Sequence, residues 1–302
     1  MPCFFVISGY TFKDKPGILT QRARQLIQPY TYWSIIYFAL FIILAYIHNR
    51  LFFFNSLKFL CGLFYSRPQL YPLYAPQAFT LMPPGSGPLW FLTALFISYL
   101  LFLPLYRAKA ATRYLWIGGY LLLHQILHYC PILLPWSIDS AFSGALFIYG
   151  GYLLRQSKIL EAKFYKPLIT CIAILPLYLW SVKINGGSGG MYARCYGSLP
   201  HAAPLLFMVM GLTGSYIWFV LCIALQKLHC TRLLAALGKS SLSLLCSHDF
   251  IYLIIAELYA WALKNYLALN SISSIVFIIQ IVAAIAFAYV LHSITSKKKC
   301  QL

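Results

Sequence analysis

Long uncharged stretches recur along the chain, and most charged residues lie in the shorter segments between them. A helix needs about 20 consecutive apolar residues to cross the hydrocarbon core of a bilayer. The pattern predicts eight helices near this length, at residues 29–47, 88–106, 113–131, 138–154, 167–183, 203–225, 240–260 and 273–294. A shorter apolar stretch, residues 1–12, predicts an N-terminal helix that crosses only about half of the membrane. Residues 13–28 and the proline-rich residues 48–87 are predicted to be loops.

The composition supports a membrane protein and excludes several other classes. The chain of 302 residues is 61% hydrophobic and only 9% charged, against about 25% charged in a typical soluble domain. These residues do not supply enough polar surface for a soluble, a disordered or a disulfide-stabilised secreted protein. We therefore expect an all-α polytopic transmembrane helical bundle that forms a single membrane-embedded domain over residues 1–302.

The strong positive charge is explained by the distribution of its residues between loops. The chain has 23 Lys and Arg against 5 Asp and Glu, a formal net charge of +18. If the predicted spans alternate in direction, one side of the membrane receives 17 of the 23 cationic residues and the other side 6. Cytoplasmic loops are enriched in Lys and Arg, so we predict that the basic side is cytoplasmic. We expect a multi-pass protein of the cell membrane, the inner membrane of a bacterium, with membrane lipids and no nucleic acid as partners.

Few ionisable residues lie inside the predicted spans, and each is a functional candidate because charge is costly in lipid. His248 and Asp249 lie in the seventh span. They either form an interhelical hydrogen bond or face a substrate cavity. Together with Ser247 they do not form a catalytic triad, because consecutive helix residues point in different directions.

Two further sets of residues have alternative interpretations. His124 and His128 share a helical face, but no third ligand is evident, so a packed pair is favoured and we predict no metal site. Arg22 and Arg24 lie in the basic segment that follows the first apolar stretch. They either bind a phosphorylated cytosolic ligand or serve only to orient the chain in the membrane.

Four short motifs stand out along the chain. Residues 1–10 are Met-Pro-Cys-Phe-Phe-Val-Ile-Ser-Gly-Tyr, and residues 22–30 are Arg-Ala-Arg-Gln-Leu-Ile-Gln-Pro-Tyr. Residues 88–92 are Pro-Leu-Trp-Phe-Leu, and residues 237–248 are Leu-Gly-Lys-Ser-Ser-Leu-Ser-Leu-Leu-Cys-Ser-His. These motifs resemble those of the acyltransferase-three family of membrane acyltransferases, and most closely its sugar O-acetylase branch with the fucose 4-O-acetylase-like proteins. They also occur in the order found in that family.

The resemblance implies about ten transmembrane helices and an enzyme that moves an acyl group, most often acetyl, from acyl-CoA to a sugar hydroxyl. The acyl-CoA is a co-substrate, no cofactor is permanently bound, and the acceptor is a carbohydrate or a lipid-linked glycan. The residues carried over are Arg22 and Arg24 for the CoA phosphates, Ser8, Trp90 and Asp249 for the substrate cavity, and His248 as the available catalytic histidine.

Two features depart from the family pattern. The family's proposed catalytic histidine lies on a helix that precedes the Met-Pro motif, whereas this sequence starts at that motif with Met1. We therefore expect a chain truncated at its N-terminus, with severely impaired or no transfer activity. The family's Arg-x-x-Arg pattern has Gln25 at its second arginine position, with Arg24 beside it.

A different class of function is also compatible with the sequence. The alternatives are a transporter or flippase for a glycan or lipid intermediate, and a non-catalytic subunit of an export complex. Transporters often contain two similar halves with broken helices, and no such symmetry is visible.

Overall fold

The computed structural model describes residues 1–48, 53–71, 80–83, 86–187, 191, 196–197, 202–227, 231–265 and 273–299. Within these residues the chain forms eleven α-helices and one isolated antiparallel bridge between Gln69 and Thr80. The helices are α1 (Pro2–Tyr10), α2 (Ile18–Ile47), α3 (Phe53–Tyr65), α4 (Trp90–Arg107), α5 (Ala110–His128), α6 (Ile138–Gln156), α7 (Tyr165–Ile184), α8 (Ala203–Lys227), α9 (Arg232–Lys239), α10 (Ser241–Asn265) and α11 (Ser273–Lys299).

The predicted helical membrane bundle is confirmed. Each of the eight predicted spans coincides with a helix, and α2, α4, α7, α8, α10 and α11 contain segments long and apolar enough to cross a bilayer. Helices α5 and α6 fall outside that group of six. Helix α6 packs against α1, α4, α5 and α8, so most of its surface faces protein and it has less need of an apolar exterior.

Small residues let α1 lie against the backbone of α6. A Cβ atom added to Gly9 would lie 1.8 Å from the carbonyl oxygen of Ile148, and one added to Gly151 would lie 1.9 Å from the carbonyl oxygen of Val6. Such close helix packing is typical of small residues in membrane proteins. The glycine of the Ile-Ser-Gly-Tyr motif is therefore a packing requirement.

Two predicted loops are wrong in part. Helix α2 starts at Ile18 and continues through Pro29, so the basic residues 18–28 form its first turns and the loop shortens to residues 11–17. Proline has no N–H to bond the carbonyl four residues earlier, which leaves the Gln25 carbonyl outside the helical ladder. In the second predicted loop, residues 53–65 form α3.

Contacts between helix ends show that three of the basic segments lie on the same side of the bundle, as predicted. Arg155 at the end of α6 donates a hydrogen bond to the Phe12 carbonyl (2.7 Å), and Asp14 lies 3.5 Å from Arg107 at the end of α4. We call this side the basic end. At the other side, which we call the opposite end, Arg67 and Asp139 form a fully buried ion pair.

Candidate functional site at the basic end

Arg22 lies one turn into α2 and points to the interior of the bundle. Its guanidinium group lies 4.5 Å from the ring centroid of Tyr99 on α4, and its Nη1 donates to Oε1 of Gln25 at 3.2 Å. Its Nε–H is buried and has no hydrogen-bond partner among the described residues. Gln25, which replaces an arginine of the family motif, therefore holds Arg22 in place. The guanidinium group keeps donors for a ligand such as a phosphate.

Tyr99 connects Arg22 to α1. Its hydroxyl donates a hydrogen bond to the backbone carbonyl of Ser8 (3.2 Å), while its ring lies under the Arg22 guanidinium group. A cation over an aromatic ring contributes about 0.5–2 kcal/mol, with the larger value for a desolvated site. Two of the sequence-predicted residues, Ser8 and Arg22, are thus brought together by a third that the sequence analysis did not single out.

A cleft of about 580 Å³ opens beside this cluster at the basic end. Its lining includes Lys15, Ile18 and Leu19 at the start of α2, with Leu103 and Arg107 on α4. We call it the α2 cleft. Because residues three and four apart share a helix face, Arg22 follows Ile18 and Leu19 on α2. Tyr99 likewise precedes Leu103 on α4, so the Arg22–Tyr99 pair lies about one turn deeper than the cleft.

Arg24 has a different environment from Arg22. It is exposed and does not belong to the lining of the α2 cleft. Its charge lies on the same turn of α2, so it adds to the positive potential at the basic end.

His248 and Asp249 contact each other on α10. His248 Nδ1 lies 2.9 Å from the Leu244 carbonyl, which makes Nδ1 the donor, and Nε2 lies 3.3 Å from Oδ1 of Asp249. Both contacts are within α10, so they differ from the expected interhelical bond. The side chains are 27% and 31% exposed, which leaves polar atoms of this pair accessible to a ligand.

The pair on α10 lies far from Arg22. Tyr37 of α2 donates from its hydroxyl to the Cys246 carbonyl (3.0 Å) and accepts from the Phe250 N–H (2.9 Å). His248 therefore lies at the level of Tyr37, which is fifteen positions after Arg22 in the chain. At 1.5 Å per residue this is about 22 Å along α2. The structure thus does not place His248 and Arg22 in one site.

Trp90 is buried at the opposite end and is only 2% exposed. The Arg67 guanidinium group lies 5.8 Å from the centroid of the Trp90 ring, and the backbone carbonyl of Trp90 accepts a hydrogen bond from Thr93 (2.8 Å). Arg67 is held by its buried ion pair with Asp139 and by a bond from its Nε to the Leu134 carbonyl (3.1 Å). Trp90 therefore packs inside the protein. Its neighbours Leu89 and Leu92 belong to a buried cluster with Tyr37 and Cys246, which places Trp90 in the half of the bundle that holds His248 and away from Arg22.

The two histidines of α5 pack against an aromatic ring. His124 is 1% exposed, and the ring of Tyr196 lies 4.7 Å from His124 and 5.6 Å from His128. Within the described residues no group of three or more His, Cys, Asp and Glu is arranged to hold a metal ion.

Comparison with known families gives one match. The family model described as Acyltransferase domain, from the third acyltransferase family, matches residues 1–293. This match covers nearly the whole chain and contains all four motifs. Comparison with curated proteins and with solved structures finds no match.

Proposed function

The chain belongs to the acyltransferase 3 family of membrane O-acyltransferases, and on that premise we propose that it transfers an acyl group, typically acetyl, from acyl-CoA to a sugar hydroxyl. In this reaction the hydroxyl oxygen attacks the thioester carbonyl, the new C–O bond forms and the C–S bond breaks. The hydroxyl proton passes to a general base, and CoA leaves as the thiolate, which then takes up a proton. A base and groups that stabilise the developing oxyanion are what such a transfer requires.

The environment of Arg22 is the observation that carries this proposal. An arginine with an unused, buried N–H lies one turn below a cleft on the basic side. Guanidinium groups bind phosphate by charge-assisted hydrogen bonds, and CoA is a phosphate-rich ligand of the cytosol. We assign to Arg22 a direct contact with a CoA phosphate. To Arg24 we assign the long-range electrostatic attraction of that phosphate. Ser8 is the residue of α1 that borders this site.

We assign His248 and Asp249 to the acceptor. Because Nδ1 of His248 bonds to the Leu244 carbonyl, Nε2 and the Asp249 carboxylate are the groups that can hydrogen-bond a sugar hydroxyl. Their position at the level of Tyr37 lies toward the opposite end of the bundle, where a glycan outside the cytoplasm would approach. This separation of donor and acceptor residues supports a transfer across part of the membrane thickness.

The first test is CoA binding to the detergent-solubilised chain, which does not depend on turnover. Arg22→Ala is expected to weaken binding of radiolabelled CoA by roughly 10- to 100-fold, the equivalent of one hydrogen bond to a charged group. Arg24→Ala is expected to have a smaller effect that disappears at high salt. Lys109→Ala removes an exposed cation outside the α2 cleft and is the matched control.

The second test separates an enzyme from a transporter. Membranes containing the chain are incubated with acyl-labelled acetyl-CoA, and the label is followed into the glycan fraction. Label on a sugar hydroxyl supports the transferase and contradicts the expected loss of transfer activity. Movement of an unmodified glycan across the membrane, with no CoA binding, would contradict the proposal.

A further inference from the structure

A second cleft lies next to the α2 cleft at the basic end. It has a volume of about 430 Å³ and is lined by aromatic residues Phe12, Tyr106 and Tyr152 and by cationic residues Lys13, Arg155 and Lys158. We call it the α6 cleft. Its volume falls within the range of small-molecule sites, about 300–1,000 Å³. Asp14 lines both clefts, so the two adjoin at residue 14.

The aromatic residues form a fixed wall. The rings of Tyr106 and Tyr152 lie 5.1 Å apart at 85°, and those of Phe12 and Tyr106 lie 5.2 Å apart at 70°. In such edge-to-face arrangements each ring supports the next. Tyr106 and Tyr152 are half-buried, so both tyrosines keep surface that faces the cleft. Aromatic rings of this kind stack on nucleic-acid bases without selecting for one base.

One cationic side chain of the α6 cleft is fixed by a backbone contact, and another belongs to a residue with a strained backbone. Nη1 of Arg155 donates to the Phe12 carbonyl at 2.7 Å, which fixes the guanidinium group while its other N–H groups remain for a ligand. Lys158 has φ of 52°, in the left-handed region. Glycine or asparagine is usual there, because a side chain with a Cβ atom is strained in this conformation. The chain thus has a strained lysine at a position where glycine would be more stable.

The acidic residues of the cleft do not cancel this charge. Asp14 lies 3.5 Å from Arg107, an arginine that lines only the α2 cleft. Glu161 is the other carboxylate of the lining. With Asp14 close to Arg107, the α6 cleft keeps three cationic side chains against the single carboxylate of Glu161. This positive charge and the aromatic wall favour a ligand that is an anion and carries an aromatic group.

We propose that the α6 cleft binds the 3′-phosphoadenosine end of the acyl-CoA donor, with the base against Tyr106 and Tyr152 and the phosphate on Arg155 and Lys158. This inference rests on the proposed function, because it assigns a second part of the same donor. The α2 cleft then takes the pyrophosphate, with its pantetheine-side phosphate on Arg22, and the acyl-bearing arm continues into the bundle from there. The donor passes between the clefts over the Asp14–Arg107 pair.

The test uses adenosine 3′,5′-bisphosphate, which lacks the pantetheine arm, as a radiolabelled ligand of the detergent-solubilised chain. Tyr152→Leu is expected to weaken its binding by roughly 5- to 100-fold, the range for loss of one base–aromatic stack. Lys158→Gln is expected to weaken it by about two- to fivefold, as for an exposed ion pair. Lys163→Gln is the matched control. Like Lys158, Lys163 is an exposed cation between α6 and α7, but it lies outside both clefts. Arg22→Ala is expected to weaken CoA but not the bisphosphate.

Lys158→Gly separates a binding role from a structural one. Glycine relieves the left-handed strain, so a higher melting temperature together with weaker bisphosphate binding supports the proposal. Equal binding by wild type and Lys158→Gly would overturn it.

Other outcomes distinguish this inference from the proposed function. A chain that binds CoA but not the bisphosphate refutes the α6 cleft as a nucleotide site and leaves the transferase proposal in place. A chain that binds neither ligand refutes both. Displacement of the bisphosphate by phosphatidylglycerol micelles and not by unlabelled CoA would assign the cleft to a lipid headgroup and would also refute the inference.

Discussion

The contact between α1 and α6 gives a sharp prediction, because two glycines each face the backbone of the other helix. Gly9→Ala would place a Cβ atom 1.8 Å from the Ile148 carbonyl oxygen, and Gly151→Ala would place one 1.9 Å from the Val6 carbonyl oxygen. Neither oxygen belongs to a flexible side chain. Since a carbon and an oxygen normally approach no closer than about 3 Å, α1 must move away from α6 by on the order of 1 Å.

The magnitude follows from overpacking and from lost contacts. Forcing an extra methyl group into a packed interface costs about 1–3 kcal/mol, and a gap of 0.5–1 Å forfeits roughly a quarter to a half of the dispersion energy along it. Phe5 and Val6 of α1 are 0% and 2% exposed. When α1 moves away from α6, these side chains lose packing contacts, and lipid chains do not restore them with the same fit. We expect each single variant to lower the melting temperature by on the order of 5 °C.

The assay is thermal denaturation in detergent, with binding of CoA measured on the same samples. Gly118→Ala and Gly119→Ala are matched controls, since nothing lies within 4 Å of either added Cβ atom. Alanine in an open helical position is more favourable than glycine by up to about 1 kcal/mol, so the controls should be as stable as the wild type or more stable.

The same displacement should reach the donor site. Gly9 adjoins Ser8, whose carbonyl accepts the hydrogen bond of Tyr99, so Gly9→Ala is expected to weaken CoA binding as well. The double variant Gly9→Ala with Gly151→Ala should lose less stability than the two single variants added together, because one shift of α1 relieves both clashes. Melting temperatures indistinguishable from that of Gly118→Ala would refute the reasoning.

Three further predictions concern other parts of the molecule. Tyr99→Phe keeps the ring under the arginine but loses the bond to α1, so it should reduce CoA binding less than Tyr99→Leu does, as measured by titration. Arg67→Met should lower stability by about 3–5 kcal/mol, because it leaves the Asp139 carboxylate buried without its cationic partner, whereas Arg67→Met with Asp139→Leu should recover most of the loss in denaturation assays; equal stability of the single and double variants would contradict this. Reporter fusions after Lys158 and Asn185 should report the cytoplasmic and the external side respectively, and the reverse result would invert the topology.

The spans were predictable because lipid imposes one simple requirement, an apolar segment of sufficient length. The same reasoning failed at residues 18–28 and 53–65, which form helix without such a segment. The first turns of α2 are polar because they lie at the basic end, where length and hydropathy give no information about helix formation. The predicted span also began at Pro29, whereas α2 starts at Ile18, because proline is tolerated inside membrane helices when neighbouring groups satisfy the freed carbonyl.

The candidate site was predictable only in part, because sequence identifies residue types and not their neighbours. Arg22 and Ser8 were selected from motifs, and the structure joins them. Tyr99, which joins them, is one of 24 tyrosines and has no distinguishing pattern within an apolar span. The Arg67–Asp139 pair connects residues 72 positions apart, and only Asp139, a rare acid at the start of a span, could have drawn attention to it.

Helix α2 connects the donor and acceptor residues of the proposed reaction. Arg22 lies near its start, and Tyr37, which bonds to α10 beside His248, lies in its second half. Pro29 lies between them, at the position where the helix lacks a backbone hydrogen bond. Prolines are a common cause of helix bends, so we expect the angle of α2 at Pro29 to affect where the donor arm ends relative to the acceptor. The chemistry proposed here therefore depends on the shape of one helix as much as on the residues at its two ends.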